Sequence, residues 1–152
     1  MTTLESQGLA AKESCPALAS ADTALKNRAL EAIAGILDRE RAEWLAANER
    51  DMINADKAGL SKAMQDRLLL TDARIDGIID GIRHVVSLPD PIGEITETVT
   101  RPNGLKIDRV RVPLGVIGII YESRPNVTAD AFGLTFMSGN AVILRGGSDA
   151  IR

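Results

Sequence analysis

The first 90 residues carry apolar positions at helical spacing, and after them the pattern changes. The clearest apolar stripe ends before Pro89 and is formed by Ile75, Ile78, Ile79, Ile82 and Val85. Pro16 predicts that the first helix ends near Cys15, because proline disfavours helix in the residue that precedes it. The predicted helices cover residues 3–12, 23–55, 62–69 and 72–88, with Ser20 or Asp22, Ser61 and Thr71 as N-terminal caps.

A β-hairpin is predicted after Pro89-Asp90-Pro91, where the helical spacing stops. Residues 94–100 alternate between apolar and polar and are rich in β-branched side chains. Asn103-Gly104 supplies a turn, since both residues tolerate positive φ, and residues 105–112 then alternate again. Two strands alone are marginal in water, so we expect this hairpin to pair with another sheet or another chain.

A strand–helix–strand unit is predicted from residue 113 onward. Residues 116–120 form an unbroken apolar run, which is typical of a parallel strand covered on both faces. A crossover helix is predicted over 127–138, closed by Gly139-Asn140, and a second buried strand over 141–144. Ser148 or Asp149 could cap a further helix. Two such strands cannot cover both faces and both edges of a sheet, so we expect the chain to be a fragment of a larger protein.

Composition narrows the class of protein without identifying it. The 152 residues are 45% hydrophobic and 26% charged, which suits a globular chain with one core. The net charge of −3, with basic residues scattered among acidic ones, argues against a nucleic-acid surface. No apolar run approaches the roughly 18 residues that span a bilayer. A single cysteine excludes an intrachain disulfide and fits a reducing cytoplasm.

Polar side chains crowd the elbow that follows the first apolar strand. Glu122, Ser123 and Arg124 precede Pro125, and Asn126 follows it. In open α/β sheets ligands bind at this carboxyl edge of the strands. The amide of Asn126 could donate to an oxygen that gains negative charge during acyl transfer. It could equally cap the helix that follows, a position that asparagine favours.

The second strand ends at Arg145, which Gly146, Gly147 and Ser148 follow. A guanidinium in this place could bind a nucleotide phosphate while the glycines let the backbone approach, or it could be an ordinary surface arginine beside a turn. The G-x-G-x-x-G fingerprint of dinucleotide sites is absent. Cys15 has no nearby base and His84 has no evident co-ligands, so neither a nucleophile nor a metal site is predicted from them.

The elbow sequence Tyr-Glu-Ser-Arg-Pro-Asn at 121–126 resembles that of the γ-glutamyl phosphate reductase family. So do the surrounding residues 101–105, 111–128 and 138–147. This family, also named glutamate-5-semialdehyde dehydrogenase, is part of the aldehyde dehydrogenase superfamily. The resemblance implies an α/β fold in three parts: N-terminal helices of the cofactor domain over 1–92, a β-hairpin oligomerisation element over 93–112, and the first βαβ unit of a Rossmann-like NADP-binding domain over 113–152.

The resemblance also implies a reaction and roles for individual residues. The family reduces L-glutamyl 5-phosphate to L-glutamate 5-semialdehyde with NADPH, through a thioacyl intermediate on a cysteine that lies beyond residue 152. Cys15 does not match that cysteine, so the chain alone is expected to be inactive. Asn126 matches an oxyanion-binding asparagine, and no metal is implied. The remaining expected contacts are Arg145, Gly146, Gly147, Ser148 and Glu122 to the cofactor, and Ser123 and Arg124 to the acyl phosphate substrate.

Other functions stay open at this point. The same fold could serve another acylating aldehyde dehydrogenase or the reductase half of a bifunctional pyrroline-5-carboxylate synthase. A further alternative is a non-catalytic assembly module in which the hairpin docks onto a partner sheet. The family resemblance favours a homo-oligomer that uses the 93–112 hairpin, in the cytoplasm, without nucleic-acid or membrane partners.

Overall fold

The computed structural model describes residues 3–122 and 124–147 of the chain. Within these ranges five helices are followed by a hairpin and by a strand–helix–strand unit. The elements are α1 (Thr3–Ser20), α2 (Thr23–Arg39), α3 (Arg41–Lys57), α4 (Lys62–Leu68), α5 (Asp72–Ser87), β1 (Ile95–Thr100), β2 (Lys106–Val110), β3 (Val116–Ile120), α6 (Pro125–Met137) and β4 (Ala141–Arg145). No helix in the described part of the chain is both long and apolar enough to cross a membrane.

Helix α1 continues past the residue where its end was predicted. It runs from Thr3 to Ser20 with Pro16 in its interior, so the predicted end near Cys15 is wrong. An interior proline costs a helix about 3 kcal/mol because it removes one N–H donor and crowds the preceding turn. The helix packs along β3 and β4, and these tertiary contacts offset a local cost that the sequence rule treats as decisive.

The predicted helix over 23–55 is two helices that meet at Glu40. Glu40 has φ −100° and ψ 18°, and its N–H bonds to the carbonyls of Ile36 and Asp38, which ends α2. Arg41 opens α3 and holds the junction, donating to Asp38 at 2.8 Å and to Asp76 on α5 at 2.6 Å. These carboxylates raise the pKa of the Arg41 guanidinium, so the group stays charged. The ion pair between Arg41 and Asp76 joins residues that are distant in the sequence. The apolar spacing of residues 23–55 therefore gives no sign of the break between α2 and α3.

The helix caps and the stripe of α5 match the prediction. The carboxylate of Asp22 accepts from the N–H of Leu25 at 2.7 Å, and the hydroxyls of Ser61 and Thr71 accept from the N–H groups of Met64 and Arg74. All five stripe residues of α5 are buried, and α5 lies between α2 and α6. The core consists of Leu30, Ala34, Ile75, Ile78, Ile79, Ile82, Val85 and Met137.

The hairpin forms as predicted and is exposed along both strands. β1 and β2 pair antiparallel, with Val99 opposite Ile107 and a register shift between Ile95 and Glu97. Gly104 in the turn has a φ of +83°, in the left-handed region that favours glycine. Polar contacts between the two strands of the hairpin include Arg109 with Glu97 at 3.0 Å and Thr98 with Asp108 at 2.6 Å.

β3 and β4 are parallel neighbours joined by α6, as predicted. The helix ends in a Schellman motif, in which the N–H of Gly139 bonds to the carbonyl of Phe136 and the N–H of Asn140 bonds to that of Thr135. The side-chain oxygen of buried Asn140 then accepts from the N–H groups of Leu114 and Gly115, which fixes the start of β3.

α6 begins earlier than predicted, and one face of β3 is exposed. α6 begins at Pro125 rather than Val127, since proline is tolerated in the first turn of a helix, where its missing N–H has no partner in any case. β3 has the apolar run of a strand covered on both faces, and Val116 and Ile120 are exposed, as expected of two strands that cannot cover both faces of a sheet by themselves. A strand whose residues alternate between two faces needs a layer on each, and among the described residues the face of Val116 and Ile120 lacks one.

Candidate active site

The parallel register of β3 and β4 places the elbow and Arg145 at one edge of the sheet. Ile120, the last residue of β3, lies opposite Arg145, the last residue of β4. The N–H of Tyr121 bonds to the carbonyl of Arg145 at 3.1 Å, so the two chain segments leave the sheet side by side. The sequence predicted this neighbourhood, and the structure brings it together.

Tyr121 ties the elbow to both of its neighbours. Its hydroxyl lies 2.6 Å from the hydroxyl of Thr128 in the first turns of α6. Its ring lies against Gly146, where an added Cβ would be 3.5 Å from the ring and its oxygen. One aromatic side chain of the elbow therefore contacts the helix that follows it and the segment after β4.

Asn126 lies in the first turn of α6 but does not cap it. The N-cap residue is Arg124, which makes no side-chain capping bond, so the capping interpretation of Asn126 is wrong. The exposed amide instead donates from Nδ2 to Oδ2 of Asp130 one turn later, at 3.1 Å. An amide nitrogen carries two hydrogens, so this bond orients the group and leaves a second N–H to donate.

Glu122 connects the elbow to a helix far away in the sequence. Its Oε2 lies 3.2 Å from a guanidinium nitrogen of Arg67 on α4 and 3.4 Å from one of Arg124. Sequence reasoning missed Arg67. It lies in a short polar helix where an arginine is typical of a solvated face, and only the fold brings it to the strand edge.

An open groove of about 660 Å³ runs between α4, α5 and the elbow. Its lining includes Arg67, Arg124, Asn126 and Asp130. A second cavity shares Arg67 and Arg124 with it and extends to Glu122 and Gly147, on the side of the glycine turn. The two cavities are therefore neighbours, and Gly147 from the end of β4 lines one of them, whereas Arg145 and Gly146 line neither.

The remaining candidate residues are placed as follows. Arg145 and Gly146 are exposed at the end of β4, and Gly147 is partly buried. Ser123 and Ser148, predicted to contact substrate and cofactor, lie outside the described residues. Cys15 lies within α1, where its thiol donates to the carbonyl of Ala11. Among the described residues, no three acidic, cysteine or histidine side chains are grouped so that they could hold a metal ion.

Comparison with known proteins identifies the family. The chain is 56% identical over 147 residues to γ-glutamyl phosphate reductase of Moorella thermoacetica, which covers 97% of this chain and 35% of that protein. It is 58% identical over 140 residues to the reductase of Geobacillus thermodenitrificans, covering 92% of this chain and 34% of that protein. The chain belongs with the γ-glutamyl phosphate reductases. It spans about a third of the length of the curated relatives it matches.

Solved reductase structures have the same fold. The reductase of Thermotoga maritima superposes with a TM-score of 0.95 at 46% identity, covering 98% of this chain and 36% of that one. That of Saccharomyces cerevisiae gives a TM-score of 0.95 at 29% identity, with 99% of this chain and 38% of that one covered. No protein-family model matches the chain. The predicted reductase family and the aldehyde-dehydrogenase-like α/β fold are thus confirmed, while the roles of single residues stay predictions.

Proposed function

We propose that this chain serves as part of an NADPH-dependent γ-glutamyl phosphate reductase of proline biosynthesis, acting in the cytoplasm. The reaction reduces L-glutamyl 5-phosphate to L-glutamate 5-semialdehyde and releases phosphate. A cysteine outside this chain attacks the acyl phosphate, and the thioacyl enzyme is then reduced. The observation that carries the proposal is the pairing of β3 with β4, which puts the elbow and Arg145 side by side in a chain 56% identical to a named reductase.

Asn126 has the chemistry that an acyl transfer requires. When a thiolate adds to the acyl group, the carbonyl oxygen becomes an anion, and a fixed N–H donor stabilises it more than it stabilises the substrate. The hydrogen bond to Asp130 fixes the direction of the Asn126 amide nitrogen. Because Asn126 is exposed, the second N–H of this nitrogen is open to a ligand. We therefore assign Asn126 to the oxyanion site.

The end of β4 fits the phosphate groups of NADPH, which supplies hydride when bound. Arg145 is exposed, and a guanidinium matches the geometry of a 2′-phosphate. Gly146 lies close against Tyr121, so a side chain there would occupy the space beside the ring. We assign Arg145, with the backbone of Gly146 and Gly147 and the carboxylate of Glu122, to cofactor binding, and Ser123 and Arg124 to the substrate.

Exposed apolar surface supports a place within a larger assembly. Ile95, Val99, Ile107 and Val110 on the hairpin are exposed, as are Leu114, Val116 and Ile120 around β3. We propose that the 93–112 hairpin pairs with another copy of the protein. We further propose that residues 1–92 and 113–152 belong to the cofactor domain, whose other parts cover β3.

The test is enzymatic and uses the full-length protein that carries this segment. Incubation with glutamate 5-semialdehyde, inorganic phosphate and NADP⁺ should produce NADPH, because the reaction can be run in reverse. Omission of phosphate should abolish the signal. A protein that reduces NADP⁺ only with coenzyme A in place of phosphate would instead be another acylating aldehyde dehydrogenase, and one that turns over neither would be an assembly module.

A further inference from the structure

We propose that Arg67 on α4 is a substrate-binding residue that, together with Arg124, forms a site for an oxyanion group of the acyl substrate. This inference rests on the proposed function. Arg67 precedes the elbow by more than fifty positions in the sequence. The inference adds this residue, from the helical part of the chain, to the site at the strand ends.

The two guanidinium groups converge on one atom from different elements. Arg67 and Arg124 both contact Oε2 of Glu122, at 3.2 Å and 3.4 Å, and each does so through a single nitrogen. A guanidinium carries five N–H donors, so this shared contact leaves both groups with donors for a bidentate acceptor. Both side chains are about half exposed, at 53% and 46%, which leaves them accessible to a ligand in the groove.

The local charge favours an anion. The groove between α4, α5 and the elbow is lined by three arginines (Arg67, Arg74 and Arg124) and two aspartates (Asp66 and Asp130). Arg74 is paired with Asp66 at 3.0 Å, whereas Asp130 accepts from the neutral amide of Asn126 and keeps its charge, so the lining of the groove carries one positive charge in excess. In the adjoining cavity, Arg67 and Arg124 face the single carboxylate of Glu122. An oxyanion bound there would meet excess positive charge.

The backbone beneath Arg67 is fixed from two sides. The amide of buried Asn48 on α3 donates to the carbonyl of Leu68 at 2.9 Å and accepts from the N–H of Leu70 at 2.7 Å. Arg74 on α5 donates to the carbonyl of Leu69 at 2.6 Å and to that of Asp66. Leu68 itself is buried. The end of α4 is thus held in place before any ligand arrives, which lowers the entropy cost of binding.

The substrate offers two groups of matching chemistry. L-Glutamyl 5-phosphate carries a carboxylate at one end and an acyl phosphate at the other, and both accept paired hydrogen bonds from arginine. In the reverse reaction these groups belong to separate molecules, because glutamate 5-semialdehyde carries the carboxylate and inorganic phosphate is the second substrate. Kinetics in that direction therefore show which group Arg67 holds.

The experiment compares Arg67→Met with the wild type in the full-length protein. We expect the KM for either phosphate or glutamate 5-semialdehyde to rise about tenfold, the lower end of what one charge-assisted hydrogen bond contributes, because the site is half exposed. The KM for NADP⁺ should change much less, because Arg67 reaches the proposed cofactor site only through Glu122. Arg67→Lys, which keeps the charge and loses the planar fork, should recover part of the loss.

Arg83→Met is the matched control. Arg83 is 54% exposed and makes one ion pair with a glutamate, Glu31, so it resembles Arg67 in exposure and pairing, but it does not line the groove. Its substitution should leave both KM values at the wild-type level. A fall in kcat for Arg67→Met with both KM values unchanged would overturn the proposal, and so would an equal effect of the two substitutions.

The outcome is separable from that of the proposed function. If the wild-type protein shows no phosphate-dependent reductase activity, the proposed function fails. Calorimetric titration with inorganic phosphate and with glutamate then still tests the anion site. Binding of either that weakens in Arg67→Met supports the site, and equal or absent binding in both proteins rejects it.

Discussion

An ion pair between buried Lys26 and partly buried Asp90 fixes the start of α2 to the turn that leads into the hairpin. The two charged atoms lie 2.8 Å apart, and the side chains are 1% and 11% exposed. The same carboxylate accepts from the hydroxyl of Thr23 at 3.0 Å and from the N–H of Ile92 at 3.0 Å. Asp90 therefore joins the first turn of α2 to the residues that lead into β1.

Asp90→Ala should be strongly destabilising. It leaves the ammonium of Lys26 buried without its counter-charge, and breaking a buried pair in this way costs about 3–5 kcal/mol. The double variant Lys26→Met with Asp90→Ala removes both charges and should recover most of that loss, because an apolar side chain of similar length fills the space. Glu31→Ala breaks the exposed pair with Arg83 and should cost at most about 1 kcal/mol.

Hydrogen exchange in the full-length protein, read by mass spectrometry, measures the effect locally. We expect faster exchange in the first turns of α2 and in residues 88–94 for Asp90→Ala, and near wild-type exchange for the double variant. Glu31→Ala serves as the control. A double variant that is less stable than Asp90→Ala would refute the reasoning, since the pair itself would then not be the source of the loss.

The same pair predicts a pH dependence. Burial of Asp90 opposes its ionisation, but the hydrogen bonds from Lys26, Ile92 and Thr23 outweigh burial and hold the pKa below its ordinary value of 3.8. A carboxyl whose pKa is lower in the folded state contributes stability above its unfolded pKa, and the contribution is lost as the pH falls through the folded pKa. Acid should therefore loosen α2 from residues 88–94, and Asp90→Ala should remove this acid step.

Three further substitutions test the site and the fold. Asn126→Ala should lower kcat about 10²–10³-fold with little change in the KM for NADPH, whereas wild-type turnover would exclude the oxyanion role. Arg145→Ala should weaken NADPH about 10-fold or more and leave NADH unchanged, and an equal loss for both cofactors would reject the contact with the 2′-phosphate. Gly139→Ala should lower stability by about 1–3 kcal/mol, since φ is +71° and the new Cβ would lie 2.9 Å from Cγ of Pro113. An unchanged unfolding midpoint would contradict that estimate.

The sequence predicted most of the helices because their signals are local. The caps at Asp22, Ser61 and Thr71 need only the next three residues, and the stripe of α5 needs only its own spacing. The predicted helix ends were wrong at Pro16 and at Glu40, because there the end of the helix depends on residues that are distant in the sequence. The packing of α1 on the parallel strands decides the first case, and the aspartates around Arg41 decide the second.

The residues of the candidate site likewise fall into those that the sequence predicts and those that only the fold brings there. Parallel strands end at a common edge, so the order of elements was enough to bring the elbow next to Arg145. No local pattern distinguishes Arg67 from other arginines on solvated helices, because its position opposite the elbow depends on how Asn48 and Arg74 hold the end of α4. The capping interpretation of Asn126 failed for a third reason, since Pro125 takes the first helical position and places the amide one turn before Asp130.

Gly81 on α5 shows how the core and the site constrain one another. A glycine inside a helix costs roughly 0.5–1 kcal/mol relative to alanine, so its presence in the helix with the clearest apolar stripe invites a look at its surroundings. A Cβ at this position would lie 3.4 Å from Oδ1 of Asp130, at the tight end of ordinary contact. The other oxygen of that carboxylate orients the amide of Asn126. A methyl group at position 81 would therefore touch the carboxylate that orients the proposed oxyanion donor, so the spacing between α5 and α6 bears directly on a group at the strand edge.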